Sequence, residues 1–153
     1  SGFRPGTVNV PGIVAFATAA KQLYGRMEGE QARFEQLRRR LIDAIAAKQL
    51  PIAVEGHPDC RLAHIVGLSV AGFEGQLVML ECNRTGIAIS TGSACQVGLQ
   101  APSRTMLAIG KTPEEAKQFV RISFGTATTE IEIDQLISAL ERIIRTREGA
   151  WTR

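Results

Sequence analysis

Six apolar residues near one end of the chain constrain the fold most. Ile133, Leu136, Ile137, Leu140, Ile143 and Ile144 recur at three- and four-residue intervals, a spacing that puts all six on one face of an α-helix. Thr129-Glu130-Ile131-Glu132 precedes them as a capping box, in which the threonine hydroxyl and the glutamate carboxylate each satisfy a backbone N–H that the first turn leaves unpaired. A second stripe runs from about residue 31 to 49. Phe34, Leu37, Leu41, Ile42 and Ile45 share one face there, Arg33, Arg38, Arg39 and Asp43 lie on the other, and Pro51 ends the run. A further helix is expected from Pro11, with Ile13, Val14, Phe16, Ala17, Ala20 and Leu23 at helical spacing. Gly25 and Gly29 should loosen it near its end. The long helices that begin and end the chain should supply much of the core.

Between them lie short β-branched runs. Ile52-Ala53-Val54, residues 62–70, Ile87-Ala88-Ile89 and residues 119–124 read as strands. In the last of these Val120, Ile122 and Phe124 point one way, while Arg121 and Ser123 point the other. Leu77, Val78 and Leu80 mark a helix over 74–84. Ser103 to Ile109 is a short helix ended by Gly110, and Thr112-Pro113-Glu114-Glu115 is another capping box. The sum is α+β: a small sheet of three to four strands, mainly antiparallel, covered on one face by helices.

The 153 residues suffice for one real core, and 44% hydrophobic residues argue against disorder. No apolar run approaches the ~20 residues of a membrane span, and no secretory signal opens the chain. The net charge of +3 and the single triplet Arg38-Arg39-Arg40, set in a helical pattern, do not suggest nucleic-acid binding. Cys60, Cys82 and Cys95 are odd in number and widely spaced, which fits reduced thiols and a cytoplasmic setting rather than a disulfide framework.

Cys95 is the principal candidate for chemistry. It follows Ser90-Thr91-Gly92-Ser93-Ala94, small residues that cannot bury enough surface to form a regular element and so give a thiol access. Cys82, beside Met79 in a helical pattern, reads as a small buried hydrophobe. Arg121 is the second candidate. An arginine fixed on a strand can grip a carboxylate with two parallel hydrogen bonds, although the pattern alone equally allows an exposed strand arginine. Arg4 and Thr7 lie among four glycines and prolines between residues 5 and 12, where a hydroxyl and backbone N–H groups could meet a phosphate. His57, Cys60 and His64 have a spacing that can suit a metal, but Pro58 breaks any helix there and no fourth ligand is evident. Histidines of a turn or core are the alternative.

Taken together, these segments resemble one family. Ser90-Thr91-Gly92-Ser93-Ala94-Cys95 resembles the active-cysteine loop of NifS-like cysteine desulfurases, of the class V aminotransferase type. Arg4-Pro5-Gly6-Thr7, His64-Ile65-Val66, Val120-Arg121-Ile122-Ser123-Phe124-Gly125 and Thr128-Thr129-Glu130 are similar to family segments in order and spacing. Leu80-Glu81-Cys82-Asn83-Arg84 and Gln96-Val97-Gly98 look most like the branch associated with NAD biosynthesis.

The resemblance implies the C-terminal small domain of a fold-type I pyridoxal-phosphate enzyme. Residues 13–147 would be that domain, residues 1–12 would continue from a missing large domain, and residues 148–153 would be a frayed tail. It implies that Cys95 takes sulfur from L-cysteine as a persulfide and releases alanine, that Arg121 binds the substrate carboxylate, and that Thr7 reaches the cofactor phosphate of the partner subunit in a homodimer. Iron–sulfur scaffold proteins are the implied acceptors, and quinolinate synthase is the one implied by the branch. The cofactor lysine has no counterpart among Lys21, Lys48, Lys111 and Lys117, so the chain alone should lack pyridoxal phosphate and activity. A non-enzymatic sulfur carrier or interaction module, and a structural domain with an incidental thiol, are the competing readings. With no large domain to dock against, residues 90–102 should be among the most mobile of the chain.

Overall fold

A three-stranded antiparallel sheet organises the chain: β1 (Ile52–Glu55), β2 (Ile65–Val70) and β3 (Phe119–Ser123), in the order β1-β2-β3. The structure is a computed structural model, and it describes residues 6–92 and 102–148. The helices are α1 (Val10–Tyr24), α2 (Met27–Ala47), α3 (Gly75–Asn83), α4 (Arg104–Ala108), α5 (Pro113–Lys117) and α6 (Glu130–Glu148). The α+β architecture expected from the pattern is the one observed, with three strands.

Strand alternation divides the sheet into two faces. Val66, Leu68 and Val70 of β2 and Val120 and Ile122 of β3 are buried on one side, where Leu68 pairs with both Val54 and Val120. Three helices cover that side. α2 contributes Leu37, Leu41 and Ile45, α3 contributes Val78 and Cys82, and α6 contributes Ile133, Leu136, Ile137, Leu140, Ile143 and Ile144. Each fully buried aliphatic side chain in this cluster stabilises the fold by about 1.5–3 kcal/mol. The opposite face carries Glu55, Gly67, Ser69, Phe119 and Arg121, set by the same register. The segment α4–α5 reaches it through the ion pair of Lys111 Nζ with Glu55 Oε1, 2.9 Å. Both expected capping boxes form: Thr112 with Glu115, and Thr129 with Glu132.

Several expectations are corrected. Ile87–Ile89 is not a strand. Gly86, at φ +80°, reverses the chain after α3, and its N–H donates to the Asn83 carbonyl while that of Ile87 donates to the Cys82 carbonyl. The Ile87 N–H thus closes the helix end and is not available to a sheet ladder. On α3 the buried face runs through Val78 and Cys82, leaving Leu77 and Leu80 about half exposed. β2 starts at Ile65, not residue 62, because residues 57–64 form a turn clasped by Arg61 Nε donating to the His57 carbonyl. α2 begins at Met27 and takes in Gly29. α1 buries no residue, and Ile13, Val14, Phe16 and Leu23 are all exposed, so only the α2 and α6 stripes serve the core. Arg33 is part-buried rather than fully solvated. Its guanidinium donates to the carbonyls of Gly125, Thr126 and Thr128 at 2.6–3.0 Å and lies 5.0 Å from the Phe34 ring centre. The tail after Arg147 falls largely outside the described residues.

Ion pairs across α2 and α6 make the packing pH-dependent. Arg40 holds the Asp134 carboxyl below its ordinary range, and Lys48 does the same for Glu141. A lowered folded-state pKa contributes stability above the ordinary carboxylate range, lost as pH falls through the folded value. Replacing Arg40 and Lys48 by alanine should therefore lower the thermal midpoint at pH 7. The gap from wild type should close as pH is taken well below about 4. Melting curves across that range check it.

Candidate functional site

Arg121 is positioned by the alternation of β3, which turns it to the face opposite the helices, across from Gly67 of β2. Its main chain makes a second connection. Arg121 N–H donates to the Ser90 carbonyl at 2.6 Å, and Ser90 N–H donates back to the Arg121 carbonyl at 3.1 Å, a single antiparallel bridge on the free edge of β3. The side chain then follows the same segment, with Nη1 donating to the Gly92 carbonyl at 3.4 Å. Arg121 is therefore tied at backbone and side chain to the three residues that open the small-residue run before Cys95.

Cys95 itself and the rest of residues 93–101 lie outside the described residues, as do Arg4 and most of the segment expected to be mobile. On the far side of that gap, Ser103 caps α4 by accepting from the Met106 N–H and donates its own N–H to the Ala116 carbonyl. Gly92 stands against it: a Cβ on Gly92 would fall 2.9 Å from both Cβ and Oγ of Ser103. Gly92 and Ser103, which flank residues 93–101 in the chain, thus lie against each other. This junction had no local signal in the sequence, where Ser103 stands only as the start of a short helix. Thr7 is exposed ahead of α1, at the surface and apart from Arg121's face of the sheet in sequence and element.

The other candidates separate by environment. His57 Nδ1 accepts the N–H groups of Asp59 and Cys60 at 3.1 and 2.9 Å, so it serves the turn. His64 lies against the Phe34 ring at 5.8 Å between centres. Among the described residues no cluster of three His, Cys, Asp or Glu is placed to hold a metal, and no helix is long and apolar enough to cross a membrane. Cys60 is exposed. Cys82 is fully buried, as its helical pattern implied, and burial pushes its thiol up to about 11. A cleft of about 430 Å³ borders the Arg121 face, lined in part by Glu55, Ser69 and Lys111.

Comparison with known proteins follows from this geometry. Residues 1–136 match the family aminotransferase class-V. The chain is 47% identical over 153 residues to the NifS protein of Bacillus subtilis (strain 168), covering 98% of this chain and 38% of that protein. It is 36% identical over 148 residues to the cysteine desulfurase IscS of Clostridium botulinum (strain Hall), covering 95% of this chain and 37% of that one. Among solved structures, a NifS-like protein superposes with a TM-score of 0.79 at 25% identity, over 95% of this chain and 36% of the other. The chain therefore spans well under half the length of the relatives it matches.

The thiol environments differ enough to be separated chemically. With an exposed Cys60 and a buried, protonated Cys82, a thiol reagent at pH 8 should modify Cys60 in the native protein and leave Cys82 untouched until denaturant is added. Peptide mapping after labelling checks this. Native labelling of Cys82 would contradict its placement in the core.

Proposed function

This chain belongs to the aminotransferase class-V family, and on that premise we propose that it is the C-terminal part of a pyridoxal-phosphate-dependent cysteine desulfurase. The Cys95 thiolate attacks the sulfur of L-cysteine, an S–S bond forms as the C–S bond breaks, and the electron pair left on carbon is protonated to give alanine. The persulfide on Cys95 then passes to an acceptor. The cofactor, when bound, supplies the electron sink for C–S cleavage. The names of the relatives, cysteine desulfurase among them, support this reading.

The observation that carries it is the Ser90–Arg121 junction. A strand arginine suited to a carboxylate is fastened to the stem of the segment that holds the thiol. Cys95 is three residues beyond Gly92, which keeps their Cα atoms within about 11 Å of each other. One substrate can therefore be held by its carboxylate and approached at its sulfur from a common base. The exposed position of Thr7, ahead of α1, suits a hydroxyl that reaches a cofactor phosphate in the partner subunit of a homodimer.

The lysines of this chain do not fit the cofactor aldehyde. A lysine that condenses with an aldehyde must be neutral. Lys111, the one bordering the cleft, is instead held charged by Glu55, which raises its pKa, and Lys48 is paired with Glu141 at 2.6 Å. Lys21 and Lys117 are exposed on helices. The lysine then lies in a part of the protein outside these 153 residues, and residues 13–147 are its small domain.

Iron–sulfur scaffold proteins are the proposed acceptors. Leu80-Glu81-Cys82-Asn83-Arg84 and Gln96-Val97-Gly98 favour the branch that serves NAD biosynthesis, with quinolinate synthase as the acceptor. Cytoplasmic residence fits the unpaired thiols of Cys60 and Cys82.

Full-length protein with pyridoxal phosphate should release alanine from L-cysteine, and the 153-residue chain alone should not. Arg121→Lys keeps the charge and loses the fork, so KM for L-cysteine should rise about tenfold or more. Alanine from the isolated chain would overturn the fragment reading, and an unchanged KM would overturn the role of Arg121.

A further inference from the structure

We propose that Ser103 and Gly92 act as positioning residues for the Arg121 guanidinium. This inference rests on the reading of Arg121 as the carboxylate-binding group and extends it to residues on either side of the thiol segment.

Three observations carry it. First, the Arg121 side chain is held at one nitrogen: Nη1 donates to the Gly92 carbonyl. A partner on one nitrogen restricts rotation of the planar group, so its donors are oriented before a carboxylate arrives. Second, the Gly92 carbonyl can stand there only because Gly92 has no side chain. Its φ is +28°, a conformation L side chains rarely adopt, and a Cβ would fall 2.9 Å from Ser103 Cβ and Oγ and 3.6 Å from Ser103 Cα. Third, Ser103 is held from two sides, by contacts of 3.4 Å each. It is 7% exposed, caps α4 through its hydroxyl, and is tied by its N–H to α5 at Ala116. The Ser90–Arg121 bridge fixes the other end of the same segment two residues earlier. Gly92 is thus clamped between β3 and the N-terminus of α4, and the clamp determines where its carbonyl meets Arg121.

The steric relation allows a rescue experiment in the full-length protein, read as KM and kcat for L-cysteine with a melting curve for each variant. Gly92→Ala should push the segment off Ser103 and weaken the hold on the guanidinium. KM should rise about tenfold, the scale of one hydrogen bond to a charged group, with a smaller change in kcat. Ser103→Gly alone opens the wall behind Gly92 and should raise KM by less than Gly92→Ala does, while glycine, itself a tolerated N-cap, keeps α4 in place. Combined with Gly92→Ala it should bring KM part of the way back, towards that of Ser103→Gly, because it removes the atoms the new methyl meets while the φ of +28° still strains the alanine. Ser103→Ala keeps the Cβ and should not rescue.

A Gly92→Ala protein with wild-type KM, or a double variant with Ser103→Gly as impaired as Gly92→Ala alone, would overturn the proposal. If Gly92→Ala fails to fold, Ser103→Thr thickens the same wall from its other side. It should raise KM likewise, and an unchanged KM there would also overturn the proposal. Failure of the underlying reading looks different: the wild-type protein would make no alanine, or Arg121→Lys would leave KM unchanged, whatever Gly92 and Ser103 do.

Discussion

Two backbone hydrogen bonds between Ser90 and Arg121 connect everything that matters in this chain. On one side of them lies β3, whose Val120 and Ile122 are packed under α2, α3 and α6. On the other lies the stem of the segment that carries Cys95. The hydrophobic core therefore does more than hold the fold together. It immobilises a strand, the strand immobilises Arg121, and the bridge transfers that rigidity to residues 90–92. A site assembled from loop residues alone would have no such reference point.

Glycine has opposite roles along this path. Gly67 sits opposite Arg121, where an added Cβ would meet the Phe119 ring at 2.8 Å. Gly75 lets α3 approach β3 so closely that a Cβ would fall 2.3 Å from the Phe119 carbonyl. Gly92 allows close contact with Ser103. From sequence, the glycines around Cys95 suggested access and motion. Gly92 also serves close packing, since its missing side chain lets it lie against Ser103.

The parts of the fold legible in the sequence were those set by local chemistry. α6 and its capping box, the Thr112 box, the alternation of β3 and the burial of Cys82 follow from spacing and hydrogen-bonding groups within a few residues of each other. The misread parts depend on partners distant in sequence. Ile87–Ile89 has strand composition, yet the Ile87 N–H is taken by the end of α3. Leu77 and Leu80 look like core and are not, because α3 is rotated to bury Val78 and Cys82. α1 has an apolar stripe with nothing in the described chain to cover it. Arg33 looked like a surface charge, but its long side chain ends on three carbonyls some ninety residues away. For the candidate site, residue types picked out Cys95 and Arg121, whereas the bridge and the Gly92–Ser103 contact are tertiary and had no local signal.

In the proposed reaction Cys95, and neither of the other thiols, receives sulfur. Cys82 is excluded by burial and a raised pKa, and Cys60 sits in a turn organised by His57. The most direct test is mass spectrometry of peptides from the full-length protein after L-cysteine is added and exposed thiols are trapped. One added sulfur atom is expected on the peptide holding Cys95, with Cys60 and Cys82 unmodified. Sulfur on Cys60, or on no cysteine while alanine is still released, would contradict it.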